Sequence, residues 1–368
     1  MIEKSKHILF VTSEFPPQPG GIGNHAYNIA KQLLENNYAV QVITDQRSVS
    51  GEEEKGFDAM LNYKVHRVHI TKIRFLMYVK RLILLFDTIK SVDKVIASGK
   101  FSLWIVAFVS VFYKKKYIAV IHGSEVNFSN TYLKTITNKS LKRFSKIIAV
   151  SNYTKGLVEN VCSNVVVIPN GINAENLNKT PLKNKTLIGY PKLITVGNVS
   201  ERKGQLQVIK HLPELIKYYP EIHYHCIGLP TQKEQFSQIA KELNVLNYIT
   251  FHGRATDQEL KSCLKESDIF VMLSGLTKTG DVEGFGIALI EANYMGLPCI
   301  GATGCGIEDA IKNNYSGKLI EPSNAKAFIT AIQDIIANYE AYKKNAKKWS
   351  MQHEWNSIVK QYIKEIEY

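Results

Sequence analysis

The sequence predicts an α/β protein built from two doubly wound domains, each with a parallel sheet covered by helices on both faces. Three observations lead to this prediction. A chain of 368 residues is longer than a domain with a single core usually is, so two domains are expected. Short apolar runs rich in β-branched residues alternate with helical patterns along nearly the whole chain. One polar stretch near the middle interrupts that alternation.

The first predicted domain covers residues 1–172. Its candidate strands lie at residues 6–11, 39–44, 94–98, 117–122, 146–151 and 164–169. Between the first two strands, apolar residues recur at helical spacing over residues 22–37. Repeated strand–helix–strand units make the sheet parallel, because each crossover helix returns the chain to the same end of the sheet.

The second predicted domain covers residues 192–354 and follows a linker at residues 173–191. The linker is polar, rich in Asn and Lys, and contains two prolines. Candidate strands of the second domain lie at residues 192–197, 222–228, 248–253, 268–274 and 298–302. Ligands of doubly wound sheets bind at the carboxyl ends of the strands, so we expect the active site in a cleft between the two domains.

Cysteine usage and hydropathy indicate a cytoplasmic protein. The five cysteines are scattered and form no CxxC pair, which favours free thiols over a disulfide framework or a metal site. The first apolar run is too short for a signal peptide. The longest apolar run, residues 101–113, is shorter than the ~20 residues of a membrane-spanning helix, so we expect it to form a buried helix.

Most of the net charge of +13 lies in one part of the chain. Residues 64–146 contain 17 Lys and Arg and three Asp and Glu, a net charge of +14, so the remainder sums to −1. This excess favours an anionic partner. No nucleic-acid-binding module accompanies it, so nucleic acid is not an expected partner.

The segment 72–86 is predicted to make a peripheral contact with an anionic membrane, because it combines bulky apolar residues with cations. Its cations are Lys72, Arg74, Lys80 and Arg81. Alternatively, the same helix packs against its own sheet and leaves these cations in water, in which case no membrane is needed.

A glycine-rich loop follows the first predicted strand. Gly20 and Gly21 come after three prolines and precede the predicted helix, where a ligand can approach the backbone N–H groups closely. The residues GIGNHA at 21–26, with Asp45 after the next strand, also match the pattern of a dinucleotide fold. The long connection from Ser13 to Gly20 argues against a nicotinamide or flavin site there.

Two further stretches combine a helix start with charged residues. In VGNVSERKGQ (196–205), Arg202 and Lys203 place two cations where a helix N-terminus already favours anions. Taken alone, the spacing favours a solvated basic turn over an anion site. In EGFGIALIE (283–291), the amides of residues 284–286 would be unpaired at a helix start and able to hold a phosphate.

A carboxylate beside a phosphate is unfavourable unless it binds hydroxyl groups or a developing cation. Glu283 and Glu291, on either side of the proposed phosphate-binding amides, therefore suit a sugar nucleotide. In the alternative interpretation, Glu283 is a helix N-terminal charge and Glu291 an ordinary surface residue.

Four motifs follow one another along the chain. They are PPQPGGIG, HGSE (122–125), IPNGIN (168–173), and ERKG with EGFGIALIE. In this order, on a two-domain α/β pattern, they resemble the retaining glycosyltransferases of family four, which have the GT-B fold. The resemblance runs nearly from end to end. The loop TKTGDVEGFG is also similar to that of bacterial phosphatidylinositol mannosyltransferases, which is a weaker resemblance.

The resemblance implies that the second domain binds a nucleotide-sugar donor. Arg202 and Lys203 would neutralise the diphosphate. The amides of Phe285 and Gly286 would assist them. Asn198 stands where many members have an arginine, so diphosphate binding would depend more strongly on Arg202 and Lys203.

The resemblance also assigns the sugar and ribose contacts. Glu283 would bind hydroxyl groups of the donor sugar, and Glu291 would bind the ribose. From the first domain, which would bind the acceptor, His122 would face the sugar and Gly21 would line the phosphate pocket. His122 also has a plainer interpretation, as a hydrogen-bonded residue at a strand end. The last helix, at about residues 355–368, would return to the first domain.

The expected reaction transfers a hexose, with retention, from GDP-mannose or a UDP-sugar to a hydroxyl of a lipid-linked or polysaccharide acceptor in cell-envelope glycan synthesis. Same-face attack is preferred over a covalent intermediate, for which Glu125 is the nearest candidate nucleophile. The chain contains no Asp-x-Asp pair, so we expect no metal and no other cofactor. The alternatives are a sugar-nucleotide epimerase of the same fold and a catalytically silent nucleotide-sugar-binding scaffold.

Overall fold

The computed structural model describes residues 6–71, 73–183, 185–277 and 280–368, and it confirms the predicted pair of parallel α/β sheets. The chain divides into two compact units. The first consists of Met1–Asn170 with Trp355–Tyr368, and the second of Gly171–Glu354. Each unit has its own sheet and its own buried apolar core.

Seven parallel strands form the sheet of the first unit, in the order β3-β2-β1-β4-β5-β6-β7. They are β1 (His7–Thr12), β2 (Ala39–Asp45), β3 (Lys64–Val68), β4 (Lys94–Ser98), β5 (Lys116–Ile121), β6 (Lys146–Ala149) and β7 (Val165–Val167). The chain winds outward from β1 and then returns to place β4 on the other side of β1. The carboxyl ends of β1 and β4 therefore flank the topological switch point, where ligands of such sheets bind.

Six helices connect these strands. They are α1 (Gly21–Glu35), α2 (Glu52–Asp58), α3 (Arg74–Thr88), α4 (Lys100–Val109), α5 (Thr131–Leu141) and α6 (Asn152–Gly156). The long apolar run at residues 101–113 contributes most of α4, whose Leu103, Val106 and Val109 are fully buried. Within the described part of the chain, no helix has the length and apolar content needed to cross a membrane.

Six parallel strands form the sheet of the second unit, in the order β10-β9-β8-β11-β12-β13. They are β8 (Lys192–Val196), β9 (His223–Ile227), β10 (Ile249–Gly253), β11 (Ile269–Met272), β12 (Cys299–Ala302) and β13 (Gly317–Ile320). The helices are α7 (Ala174–Lys179), α8 (Gln205–Tyr218), α9 (Lys233–Glu242), α10 (Asp257–Glu266), α11 (Ile287–Tyr294), α12 (Ile307–Ala310), α13 (Ala325–Ala337) and α14 (Tyr339–Met351). The switch point of this sheet lies between β8 and β11.

The last helix, α15 (Trp355–Glu367), belongs to the first unit and packs against α1, as predicted. Its buried face contains Ile358, Val359, Tyr362 and Ile366. Polar contacts hold its end, since the Tyr38 hydroxyl lies 2.5 Å from Glu367 and Lys146 lies 2.8 Å from Glu365.

The segment 173–191, predicted as a linker, belongs to the second unit, contains helix α7 and is hydrogen-bonded to α10. The backbone N–H of Lys183 donates to the Ser262 hydroxyl at 2.8 Å, and the Lys261 amine donates to the Thr180 carbonyl at 2.5 Å. Asn184 in this segment lies outside the described residues.

Strands β3 and β13 have no counterpart among the predicted strands. Each lies at the edge of its sheet, and the sequences KVHRV and GKLI lack the continuous apolar runs of the central strands. An edge strand has one neighbour and needs less apolar surface, so its local sequence carries a weaker signal.

Three histidines contact one another on β9 and β10 of the second unit. Nδ1 of His225 lies 3.1 Å from Nε2 of His252, and the rings of His223 and His225 are 4.7 Å apart. Burial lowers the pKa of His225 to about 4, and burial also lowers the pKa of His223 and of His252. Folding therefore favours the neutral form of these side chains.

We predict that this cluster makes the protein less stable in acid. The unfolded chain binds protons at His225 below its ordinary pKa of about 6.5, whereas the folded chain binds them only near pH 4, so the free energy of unfolding falls over that interval. Urea unfolding at pH 7.5, 6.5 and 5.5 measures the slope, and His225→Gln should reduce it. Thr250→Val, which removes the hydroxyl partner of His223 without removing a titratable group, is the control. An unchanged slope in His225→Gln would contradict the prediction.

Candidate functional site

A one-turn 3₁₀ helix at Glu201–Lys203 follows β8 at the carboxyl edge of the second sheet. Gly204 ends this turn in the left-handed conformation, with φ of 78°. A Cβ atom at this position would lie 2.1 Å from the carbonyl carbon of Leu273. Glycine is therefore required for the turn to lie against the end of β11, and this contact places Arg202 and Lys203 near the switch point.

Arg202 and Lys203 bind the same carboxylate oxygen of Glu283. Nη1 of Arg202 lies 2.6 Å from Oε2, and Nζ of Lys203 lies 2.7 Å from it. Nε of Arg202 also lies 3.3 Å from the carboxylate of Asp281, a residue that the sequence patterns did not single out. The predicted cations and the first predicted glutamate thus form one ionic cluster within the second unit.

Glu283 is only 8% exposed. Burial by itself would raise its pKa, but the charges of Lys203 and Arg202 outweigh burial and hold the pKa of this carboxyl below its ordinary value. The backbone N–H of Gly286 also donates to the carboxylate. The site therefore holds an ionised glutamate at neutral pH, with three donors around it.

Helix α11 begins at Ile287, so residues 284–286 precede it. The prediction of three unpaired amides is wrong for Gly286, because the carboxylate of Glu283 is close enough to accept its N–H. Phe285 is buried, and its ring centroid lies 6.0 Å from that of His353. Lys278 and Thr279, in the loop before Glu283, lie outside the described residues.

Gly306 holds the loop of Glu283 in place, and sequence reasoning did not identify it. Its backbone N–H donates to the Glu283 carbonyl at 2.9 Å. A Cβ atom at Gly306 would lie 1.9 Å from the carbonyl oxygen of Gly284, so no side chain fits there. The signal in the sequence was the pair of glycines in TGCGIED (303–309), which lies in the loop after β12.

Glu291 lies on α11 and is half-buried. Burial raises its pKa to about 7, Asp257 adds to this effect, and Lys203 opposes it. Lys203 therefore interacts electrostatically with both predicted glutamates. Such a carboxyl changes charge near neutral pH and responds strongly to any hydrogen-bond donor that approaches it.

In the first unit, His122 follows β5 at the carboxyl edge of the sheet. Its Nε2 lies 3.0 Å from the Ser98 hydroxyl at the end of β4. Its backbone N–H donates to the Glu125 carboxyl. Burial lowers the pKa of His122 to about 4, so the imidazole is neutral at pH 7. A neutral imidazole can donate or accept a hydrogen bond to a hydroxyl group.

Glu125 is 2% exposed, and its Oε2 has no hydrogen-bond partner among the described residues. Burial raises its pKa to about 7, against the opposing effect of hydrogen bonds from the backbone of residues 122–125. Its known contacts are to the turn that carries His122. These contacts favour a structural role in that turn.

Gly21 is the first residue of α1, and no side chain of the described residues caps this helix N-terminus. Asp45, which the dinucleotide hypothesis would assign to a ribose, instead forms a buried ion pair with Arg81, with both carboxylate oxygens 2.5 Å from Nη2. Its carboxylate is therefore engaged inside the unit. A dinucleotide site would need this carboxylate to bind the ribose, so its pairing with Arg81 argues against such a site.

Comparison with known proteins agrees with this arrangement of two parallel sheets. The family model described as Glycosyltransferase Family 4 matches residues 19–176, and that described as Glycosyl transferases group 1 matches residues 178–349. Together they cover nearly the whole chain. The chain belongs to glycosyltransferase family four.

Curated relatives of this family-four enzyme share low but extended identity. A GDP-mannose-dependent alpha-(1-6)-phosphatidylinositol monomannoside mannosyltransferase of Mycolicibacterium smegmatis is 24% identical over 350 residues, which cover 90% of this chain and 89% of the relative. An uncharacterized glycosyltransferase of Methanocaldococcus jannaschii is 22% identical over 396 residues, with 97% and 96% covered.

Solved structures confirm the GT-B fold of the family-four enzyme. Anabaena Alr3699/HepE, crystallised with UDP and glucose, superposes with a TM-score of 0.77 at 18% identity and covers 98% of this chain and 99% of its own. Sucrose-phosphate synthase from Thermosynechococcus elongatus gives a TM-score of 0.79 at 16% identity, with 98% of each chain covered. At these identities the likeness concerns the fold.

Among the described residues, no group of three or more His, Cys, Asp and Glu side chains is placed to hold a metal ion. The predicted site residues fall into two sets. Arg202, Lys203, Glu283 and Gly286 are in direct contact, with Phe285 beside them in the chain and Glu291 coupled through Lys203. His122 and Gly21 belong to the first unit.

Proposed function

We propose that this chain is a retaining hexosyltransferase that uses a nucleotide-diphosphate sugar as donor, with the diphosphate bound by Arg202 and Lys203. The observation that carries this proposal is the buried carboxylate of Glu283, held by both cations at the carboxyl edge of the second sheet. Two cations that already bind a carboxylate oxygen are suited to phosphate oxygens. When the donor binds, the Glu283 carboxylate would leave the two cations and accept hydrogen bonds from hydroxyl groups of the sugar.

The same residues would support bond cleavage without a metal. When the bond between the anomeric carbon and the phosphate oxygen breaks, negative charge develops on the departing nucleoside diphosphate. Arg202, Lys203 and the amide of Phe285 would stabilise that charge, joined by the amide of Gly286 once the Glu283 carboxylate has moved to the sugar. The acceptor oxygen bonds to the anomeric carbon on the same face, and its proton leaves with the phosphate, so configuration is retained.

The first unit would contribute His122 and Gly21. A neutral His122 can hydrogen-bond a sugar hydroxyl without placing a second positive charge beside the developing oxocarbenium ion. Gly21, at an uncapped helix N-terminus, offers backbone N–H groups to a phosphate. Glu291 would bind the ribose hydroxyls in the second unit.

The donor proposed is GDP-mannose or a UDP-sugar, and the acceptor a lipid-linked or polysaccharide hydroxyl in cell-envelope glycan synthesis. The names of the relatives support this choice, because one is a GDP-mannose-dependent mannosyltransferase acting on a phosphatidylinositol mannoside and another was solved with UDP and glucose. Sugar-nucleotide epimerisation and silent nucleotide-sugar binding are the competing functions. Product analysis with and without an acceptor separates them.

We place the enzyme in the cytoplasm, with a peripheral contact to an anionic membrane through residues 72–86. Phe75 of α3 is 69% exposed, and Ile73 and Ile83 are also exposed. Arg81 was predicted to be one of the cations that face the membrane. This prediction is wrong, because Arg81 is buried against Asp45. Lys72 and the side chain of Arg74 lie outside the described residues.

The exposed apolar surface of α3 extends to α4. Phe112, just after α4, is 60% exposed, and its ring lies 5.6 Å from Phe86 and 5.4 Å from Phe108. The exposed cations on or near these helices are Lys80 on α3, Lys90 just after α3 and Lys114 two residues beyond Phe112, and Lys90 lies 3.8 Å from the exposed carboxylate of Asp87. Exposed rings on a unit with an excess of cations suit a surface of anionic lipid, into which the rings would insert while the cations meet the headgroups.

We predict that Glu283→Gln binds the free nucleoside diphosphate more tightly, by about three- to tenfold, yet transfers sugar about 10²-fold more slowly or worse. The substitution removes the carboxylate that competes for Arg202 and Lys203, but it also removes the proposed sugar ligand. Calorimetry with UDP and GDP and a transfer assay measure the two effects. Glu214→Gln, an exposed acid paired with Lys217, is the control. Weaker diphosphate binding together with normal transfer would contradict the assignment.

We predict that donor binding releases a proton near pH 7 and is tighter at pH 8 than at pH 6. Ribose hydroxyls that donate to Glu291 stabilise its charged form and lower its pKa from about 7. Calorimetry in buffers of different ionisation enthalpy counts the protons, and a nucleotide sugar is used because its doubly esterified diphosphate does not titrate there. Glu291→Gln should abolish the release. Equal proton release in both proteins would exclude this role for Glu291.

We predict that Phe75→Ser/Ile83→Ser lowers binding to phosphatidylglycerol vesicles by about tenfold or more and leaves donor binding intact. The wild type should bind these vesicles, bind phosphatidylcholine vesicles weakly, and lose affinity in about 0.5 M salt. Vesicle sedimentation measures all three. Tyr218→Ser, which removes an exposed aromatic ring from the second unit, is the control. Equal binding by the double variant and the control would refute the membrane contact.

A further inference from the structure

A buried series of ring contacts connects helix α15 to His122 within the first unit. It begins at His25 of α1, which is fully buried. Nε2 of His25 lies 2.9 Å from the hydroxyl of Tyr362, and its ring centroid lies 5.5 Å from that of Trp355. Both partners are residues of α15, so this helix determines the position of the His25 ring.

The other side of His25 faces His122. The two ring centroids are 4.9 Å apart and the ring planes meet at 81°, an edge-to-face contact. Ser98 holds Nε2 of His122 at 3.0 Å. One ring nitrogen of His122 is thus fixed by Ser98, and the plane of the ring is fixed by His25. Within the described part of the chain, Nδ1 of His122 makes no hydrogen bond, so it is the nitrogen left for a ligand.

The contact between the two imidazoles depends on packing, because neither ring is charged. Burial lowers the pKa of His25 well below its ordinary value, and the neighbouring His122 lowers it further. Burial likewise keeps His122 neutral. Among the residues that the structure describes, no ion pair orients either ring, so their orientation rests on the hydroxyl groups of Ser98 and Tyr362 and on ring contacts.

We infer that Tyr362 and His25 are positioning residues that orient His122, and this inference rests on the role proposed for His122 in transfer. Nδ1 of His25 is buried without a partner among the described residues, so the Tyr362 hydroxyl is the polar group that orients this ring. Without that hydroxyl, His25 can rotate away and leave His122 without its edge-to-face neighbour. The C-terminal helix would thereby affect catalysis without touching the substrate.

Tyr362→Phe tests this inference with a small structural change. We expect kcat to fall about tenfold while KM for the donor stays within about twofold, because misorientation of a catalytic group affects the chemical step. Tyr38→Phe is the matched control, since it removes a tyrosine hydroxyl that also bonds to α15, at Glu367. It should keep kcat within about twofold while causing a similar loss of thermal stability. His25→Gln, which keeps a donor but removes the ring, should resemble Tyr362→Phe.

Two further measurements distinguish orientation from general destabilisation. NMR signals of the His122 imidazole should shift in Tyr362→Phe and stay unchanged in Tyr38→Phe. In a double-mutant cycle, Tyr362→Phe should have no further effect once His122 is replaced by Ala, because the effect passes through that ring.

Equal kcat losses in Tyr362→Phe and Tyr38→Phe, with unchanged His122 signals, would overturn the inference. Full additivity with His122→Ala would do the same. Normal transfer by His122→Ala alone is a separate outcome, which would refute the role proposed for His122 itself.

Discussion

Removing the charge of Glu283 from water would cost several kcal/mol if nothing replaced its hydration, and the loops of the second unit provide the replacement. Arg202 and Lys203 reach the carboxylate because Gly204 allows their turn to lie against the end of β11. The loop of Glu283 stays in place because Gly306 allows close contact of its backbone with Gly284. Three separate chain segments therefore meet around one buried charge.

The first unit uses neutral groups where the second uses charges. His25 and His122 are uncharged because they are buried, and they are oriented by hydroxyl groups and ring contacts. Much of the net positive charge of the first unit lies at its surface, whereas the buried guanidinium groups of Arg81 and Arg67 are compensated by Asp45 and Asp58. In the proposed reaction the cationic cluster would bind the diphosphate and the neutral imidazole a sugar hydroxyl, because only the leaving group gains negative charge.

Family membership and site geometry address different parts of the function. Matches across residues 19–176 and 178–349 identify a glycosyltransferase, whereas the low identity of the solved relatives limits their evidence to the fold. The roles proposed for Glu283, Glu291 and His122 come from the family resemblance, and the charges, burial and hydrogen bonds of these residues support them. The epimerase and scaffold hypotheses share the donor-binding residues, so the reaction product is what separates them.

The sequence by itself determined the fold class, the central strands, and the loops that contain the proposed site residues. Runs such as KHILFV, and glycine–charge combinations such as ERKG and EGFGIALIE, carry these signals within a few residues of the chain. The edge strands β3 and β13 lacked such a signal, because each has one neighbouring strand and its sequence contains no continuous apolar run.

Tertiary structure alone decided which groups meet. The sequence predicted that Arg81 faces a membrane. In the structure its ion pair with Asp45, 36 residues away, holds it inside the first unit. The contact of Tyr362 with His25 joins residues 337 positions apart. The charge of a buried carboxyl or imidazole depends on partners brought together by folding, and no local pattern in the sequence contains that information.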